Sequence, residues 1–175
     1  MYNMKKGARV IISSYIVGVM GGGDDVLQEN YELAYRLGGL IAKEGWVLLN
    51  GGRPAGIMEA SAKGAKESGG LTVGVLPGSS SSEASAYIDI PIVTGMGSAR
   101  NNINILSSDV VIALPGKAGT ISEIALALKN GKKVLLLNFD PGSIFAEYRD
   151  TGLLQSAGSP EEAISIIKAG MGSNM

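Results

Sequence analysis

Cysteine and histidine are both absent from this sequence of 175 residues. Without cysteine there is no disulfide, no thiol nucleophile and no thiolate-held metal. Without histidine there is no Ser-His-Asp triad, no imidazole base and no histidine-ligated metal centre, so proton transfer is left to Asp, Glu, Lys and Tyr. Charge is sparse as well, at 18% of residues, and it nearly cancels, with 15 Lys+Arg against 16 Asp+Glu. No basic block occurs, so the electrostatic footprint of a nucleic-acid binder is missing. Nor is there an apolar run of the ~20 residues that a spanning helix needs; the longest candidate, Val10 to Met20, is broken by serines and a tyrosine. These absences predict a cytoplasmic chain that meets neither nucleic acid nor membrane, ligates no metal, and takes a small molecule as its partner.

Glycine is what the chain has in plenty, 26 residues, alongside 45% hydrophobic residues. That is enough to build the core of a single domain over residues 1–175. The glycines recur where apolar runs give way to helical patterns. Tyr15 to Met20 reads as a buried strand, Gly21 to Gly23 as a turn and Asp24-Asp25 as a helix cap. Leu27, Tyr31, Ala34, Leu37 and Ile41, spaced by three and four, predict a helix over 25–44 that Gly45 ends. Trp46 to Leu49 is a second strand, closed by Asn50-Gly51-Gly52-Arg53, with Pro54 placed to open a helix from about Ala55 to Ser68. Its small residues, Ala60, Ala62, Gly64 and Ala65, allow close approach to a sheet or another helix.

Leu71 to Leu76 is a third strand, and the polar stretch Pro77 to Ser82 reads as a mobile loop able to cover a ligand. Ile90 to Val93 is a short strand whose proline suits a strand start or a sheet edge. Thr94 to Ser98 leads into a helical segment ending at Leu106. Asp109 to Leu114 is a strand, Ile121 to Lys129 a helix stopped by Gly131, and Lys133 to Leu137 the last clear strand. Ser159-Pro160-Glu161-Glu162 opens a helix that Lys168 and Gly170 close. Residues 1–14 are expected either to extend the first strand or to form a mobile arm.

Continuous apolar strands alternating with helices specify an α/β fold, a doubly wound parallel sheet covered on both faces. Ligands of such sheets gather at the carboxyl ends of the strands. Four glycine-rich loops are expected on that rim: Gly21 to Gly23, Gly51-Gly52, Gly95 to Gly97 and Gly116 to Gly119. The run Leu114 to Glu123 is the most suggestive, because a strand, a glycine turn and a helix start leave amide hydrogens and a helix dipole aimed at an anion. Glu123 would lie one turn in. The plain alternatives are a solvated Arg100, surface cations at Arg53 and Lys117, and a Glu123 that serves only the helix dipole, by roughly 0.3–1 kcal/mol. Neither a Walker A sequence nor a G-x-G-x-x-G fingerprint is present, which argues against a nucleoside triphosphatase or an ordinary NAD enzyme.

The runs Gly51-Gly-Arg-Pro-Ala-Gly-Ile-Met58, Gly97-Ser-Ala-Arg100 and Pro115-Gly-Lys-Ala-Gly-Thr-Ile-Ser-Glu123 resemble the successive signatures of the LONELY GUY superfamily, often mislabelled lysine decarboxylases. The resemblance extends from about Gly18 to Leu137. Within the superfamily the chain is most similar to the molybdenum cofactor carrier proteins, through Gly18-Val-Met-Gly21, Gly74-Val-Leu-Pro-Gly78, Asp89-Ile-Pro-Ile-Val-Thr-Gly95 and Gly97-Ser-Ala-Arg-Asn-Asn-Ile-Asn104.

That resemblance implies a Rossmann-like homodimer or homotetramer with a phosphate-bearing ligand in the rim pocket. For carrier members the ligand is the molybdenum cofactor, molybdopterin with its metal, held for molybdoenzymes or for cofactor-synthesis proteins. The metal sits on the pterin's own dithiolene sulfurs, so a protein without Cys or His can carry it. The superfamily's enzymes instead hydrolyse the N-glycosidic bond of a nucleoside 5′-monophosphate. Arg100 and Glu123 match their catalytic arginine and glutamate. Two departures count against that activity: Lys117 stands where the enzymes have a second glycine, and Asn101 where they have lysine. A pyridoxal-dependent decarboxylase has little support, since no lysine has the context of a Schiff base. Candidate ligand-binding residues are therefore Gly21, Gly22, Gly51, Gly52, Arg53, Met96, Gly97, Ser98, Arg100, Asn101, Pro115, Gly116, Lys117, Ala118, Gly119, Thr120 and Glu123.

Overall fold

A computed structural model of the chain describes residues 14–172. The arm expected over residues 1–14 falls, but for its last residue, outside the described residues. The strands are β1 (Ile16–Met20), β2 (Val47–Asn50), β3 (Thr72–Leu76), β4 (Ile90–Val93), β5 (Val110–Ala113), β6 (Lys133–Leu137) and β7 (Leu154–Ala157). Between them lie α1 (Gln28–Lys43), α2 (Gly56–Glu67), α3 (Asn101–Leu106), α4 (Ala118–Lys129) and α5 (Ala146–Asp150), and α6 (Pro160–Gly172) follows β7. The strands form one seven-stranded sheet in the order β4-β3-β2-β1-β5-β6-β7, parallel at every pairing. The doubly wound Rossmann-like α/β fold expected from the strand–turn–helix repeats is the fold observed.

The apolar strands are buried on both faces. Val17, Val19, Leu48, Ile112 and Leu135 face a layer of α1, α2 and α6, while Met20, Leu49, Val111, Ala113 and Val134 face side chains of α3 to α5. The small residues of α2 serve its packing on α1. A Cβ on Gly64 would collide with the Tyr35 carbonyl, and one on Gly38 with that of Ser61, so the two backbones touch where side chains would hold them apart.

Several boundaries differ from the sequence expectation. α1 begins at Gln28 rather than at residue 25, because Asp25 takes a left-handed backbone (φ 57) that a right-handed helix cannot contain. Leu27 is accordingly 65% exposed, and the buried track is Asn30, Ala34, Leu37, Gly38 and Ile41. Pro54 lies ahead of the Ala55 cap instead of inside α2. α4 starts three residues early, at Ala118, and α6 runs through Lys168 and Gly170 to Gly172. β7 was not expected at all, its mixed sequence Leu-Gln-Ser-Ala being suited to an edge with little to bury. Pro91 does lie in the edge strand β4. Within the serine loop Ser81–Glu83 make a 3-10 turn, with Ser80 Oγ accepting from the Ser82 N–H, and just after it the Ser85 N–H donates to the Gly52 carbonyl at 2.8 Å.

Candidate functional site

Strand order runs outward from β1 in one direction and from β5 in the other, so the loops after these two neighbours diverge and leave a crevice. A pocket of about 400 Å³ occupies it. The loops that form its floor are stitched together by backbone. The Gly22 N–H donates to the Pro115 carbonyl at 3.0 Å, and the Gly22 carbonyl accepts from the Ile57 N–H at 2.9 Å. A Cβ on Gly116 would strike the Thr120 hydroxyl, and one on Gly22 would come within 3.2 Å of the Pro115 carbonyl. Glycine is needed here for close approach between turns. Behind the β2 turn, buried Asn50 accepts from the Gly52 N–H at 2.8 Å and donates to the Met58 carbonyl at 2.9 Å, pinning the turn to α2.

One wall is charged. Arg100, at the end of a 3-10 turn leading into α3, and Glu123, one turn into α4, are 8% and 6% exposed. Their Nη1 and Oε1 lie 3.5 Å apart. Asn104 donates to the same Glu123 oxygen at 3.3 Å, and Arg100 Nη1 donates to Asn101 Oδ1 at 2.8 Å. Burial pushes the Glu123 carboxyl above its ordinary value, against the opposing pull of the Asn104 bond and the Arg100 charge. Burial likewise pushes the Arg100 guanidinium down, with Glu123 opposing and Arg53 adding to the effect. Among the described residues, Arg100 Nε and Asn104 Oδ1 are buried without a hydrogen-bond partner. A buried donor left unmade costs ~1–3 kcal/mol. At the mouth, exposed Lys117 reaches the Asp25 carboxylate at 3.4 Å, linking the β5 and β1 loops.

Most residues singled out in the sequence meet in this pocket. Gly21 and Gly22 come from the β1 loop, Gly51 and Arg53 from the β2 loop, and Arg100 and Asn101 from the start of α3. Pro115, Gly116, Lys117, Gly119, Thr120 and Glu123 supply the remainder. Gly52, Met96, Gly97, Ser98 and Ala118 are not among its lining residues. Gly52 turns against Gly74 and Leu76 of β3, and Met96 is half exposed. The Gly95–Gly97 loop leads into the 3-10 turn that ends in Arg100. Sequence reasoning missed Val19, Met20, Met58 and the stretch from Asp24 to Leu27, together with Asn30. Of these, Asn30 carried a signal, since it continues the buried spacing of Ala34, Leu37 and Ile41 as a lone polar residue. Among the described residues no group of three or more acidic side chains is placed to hold a metal, and no helix is long and apolar enough to cross a membrane.

Comparison with known proteins bears on this cleft. The SLOG cluster4 family matches residues 14–164. The molybdenum cofactor binding protein of Rippkaea orientalis superposes with a TM-score of 0.87 at 50% identity, over 91% of this chain and 99% of that one. The molybdenum cofactor carrier protein of Chlamydomonas reinhardtii gives 0.82 at 47% identity, over 89% and 97%. A cytokinin riboside 5′-monophosphate phosphoribohydrolase of Mycobacterium tuberculosis is 36% identical over 123 residues, 69% of this chain and 66% of that enzyme.

Proposed function

The chain belongs to the SLOG cluster4 family, and from that premise we propose that it carries the molybdenum cofactor in the rim cleft between β1 and β5. The observation that supports this most is the 50% identity, over 91% of the chain, with a protein that binds that cofactor. The residues present fit such a cargo. Its terminal phosphate needs hydrogen donors and positive potential, which the start of α4, the Thr120 hydroxyl and Lys117 supply, with the Arg100 guanidinium on the same wall. Its metal needs nothing from the protein, being held by dithiolene sulfurs. The pocket of about 400 Å³ lies within the usual range for small-ligand sites. Carriage implies delivery, so molybdoenzymes or cofactor-synthesis proteins are its proposed partners, and a cytoplasmic homodimer or homotetramer its proposed form, open to light scattering.

A second reading rests on the Arg100–Glu123 pair. A buried carboxylate beside a guanidinium suits an oxocarbenium-like sugar, and N-glycosidic cleavage of a nucleoside 5′-monophosphate would use both. One experiment separates the two. The purified protein is titrated with molybdopterin and, separately, incubated with AMP while free adenine and ribose 5-phosphate are measured. Carriage predicts saturable molybdopterin binding and no adenine. Adenine release that Glu123→Gln abolishes would replace the carrier with the enzyme.

A further inference from the structure

Asn30 is 4% exposed, at the first turn of α1, and it lines the cleft from the sheet face opposite to Arg100 and Glu123. Its Oδ1 accepts from Asn138 Nδ2 at 2.8 Å. Asn138 follows β6 in a left-handed backbone conformation (φ 51), and the same Nδ2 lies 3.5 Å from Glu29 Oε1. A carboxylate only accepts, so Glu29 fixes which end of the Asn138 amide faces α1. That in turn fixes Asn30: its oxygen is engaged by Asn138, which leaves the NH₂ as the end of the amide turned to a ligand. What Asn30 offers the cleft is a pair of hydrogens.

The surroundings of this donor differ from the rest of the pocket. Val26 and Leu27 line the cleft from the same β1–α1 connection, and so do the carboxylates of Asp24 and Asp25. An oriented amide donor in a segment that also carries two carboxylates suits an uncharged flat ring with an acceptor on its edge, and suits an anionic phosphate poorly. We propose that Asn30, positioned by Asn138, recognises the heteroaromatic ring of the ligand by donating to a ring nitrogen or carbonyl oxygen, while the phosphate is held at the α4 end. The assignment shares with the carrier reading only the assumption of a heterocyclic monophosphate, and a pterin or a purine meets it equally.

The test titrates molybdopterin, AMP and ribose 5-phosphate into the wild type, Asn30→Leu and Asn138→Gly proteins. Asn138→Gly keeps the backbone conformation and removes the amide. Both variants are expected to weaken a ring-bearing ligand about fivefold to tenfold, the worth of one hydrogen bond, and to leave ribose 5-phosphate within about twofold. In nitrogen–proton correlation spectra of the wild type, the Asn30 side-chain NH₂ signals should shift with the ring-bearing ligand and stay put with ribose 5-phosphate. Unchanged ring affinity in Asn30→Leu, an equal loss of ribose 5-phosphate, or an unmoved Asn30 signal would overturn the assignment. If AMP binds and molybdopterin does not, the carrier reading falls and Asn30 is judged on AMP. If the wild type binds neither, both fall.

Discussion

Glu123 is the residue at which burial and charge contend most directly. Its raised carboxyl means that the folded protein retains a proton that the unfolded chain has already lost. The stability linked to Glu123 is therefore fully present below the ordinary glutamate value of 4.5 and is lost as pH rises through the raised one. Glu123→Gln removes that slope. In urea unfolding followed from pH 4 to 8, the variant should gain on the wild type as pH rises, and parallel curves would contradict the burial argument. Glu123 and Arg100 were legible in the sequence because each stands in a motif at a helix start. Asn30 stands in no motif, and the spacing of α1 marks it only as a lone polar residue on a buried track; its role depends on Asn138, which approaches only when α1 and the end of β6 meet.

At the level of elements, the turn between β5 and α4 contains two glycines with opposite duties. Gly116 faces the Thr120 hydroxyl, so a side chain there must displace the turn. Around a Cβ on Gly119 there is nothing within 4 Å, although the residue lines the cleft. Gly119→Val should leave the unfolding free energy within about 0.5 kcal/mol and cut affinity for molybdopterin or AMP at least tenfold, by filling ligand space. Gly116→Val should instead cost about 1–3 kcal/mol of stability through overpacking. Chemical denaturation beside calorimetric titration separates the two. The glycine spacing showed that a turn would be here, but not which glycine is closed by protein and which is open to ligand. Periodicity likewise revealed the six buried or proline-marked strands and left out β7, whose Leu-Gln-Ser-Ala alternates too weakly to register. It also placed the start of α1 too early, since apolar Leu27 fits the helical spacing while Asp25 breaks the backbone.

For the whole molecule, the cleft joins two half-sheets that share few loops. Gly22 with Pro115 and Asn30 with Asn138 are bridges between them, and a ligand adds another. Ligand at a hundred times its Kd should add about 2.7 kcal/mol to the unfolding free energy, or roughly 5–10 °C in Tm for a chain of this size. Differential scanning fluorimetry with molybdopterin or AMP reads this directly. A ligand that saturates without raising Tm would mean that it binds the unfolded chain as well.

The contact between the Ile16 N–H and the Asp109 carboxylate, where β1 meets β5, spans 93 residues of chain. β1 can pair with β2 while the chain is still being synthesised, but its other edge must wait for β5, and such distant closures are the slow part of folding. Arg100, Glu123 and the β5 turn reach the cleft only at that closure. A nascent or half-folded chain therefore has no place for the ligand, and uptake of cargo is restricted by topology to molecules that have finished folding.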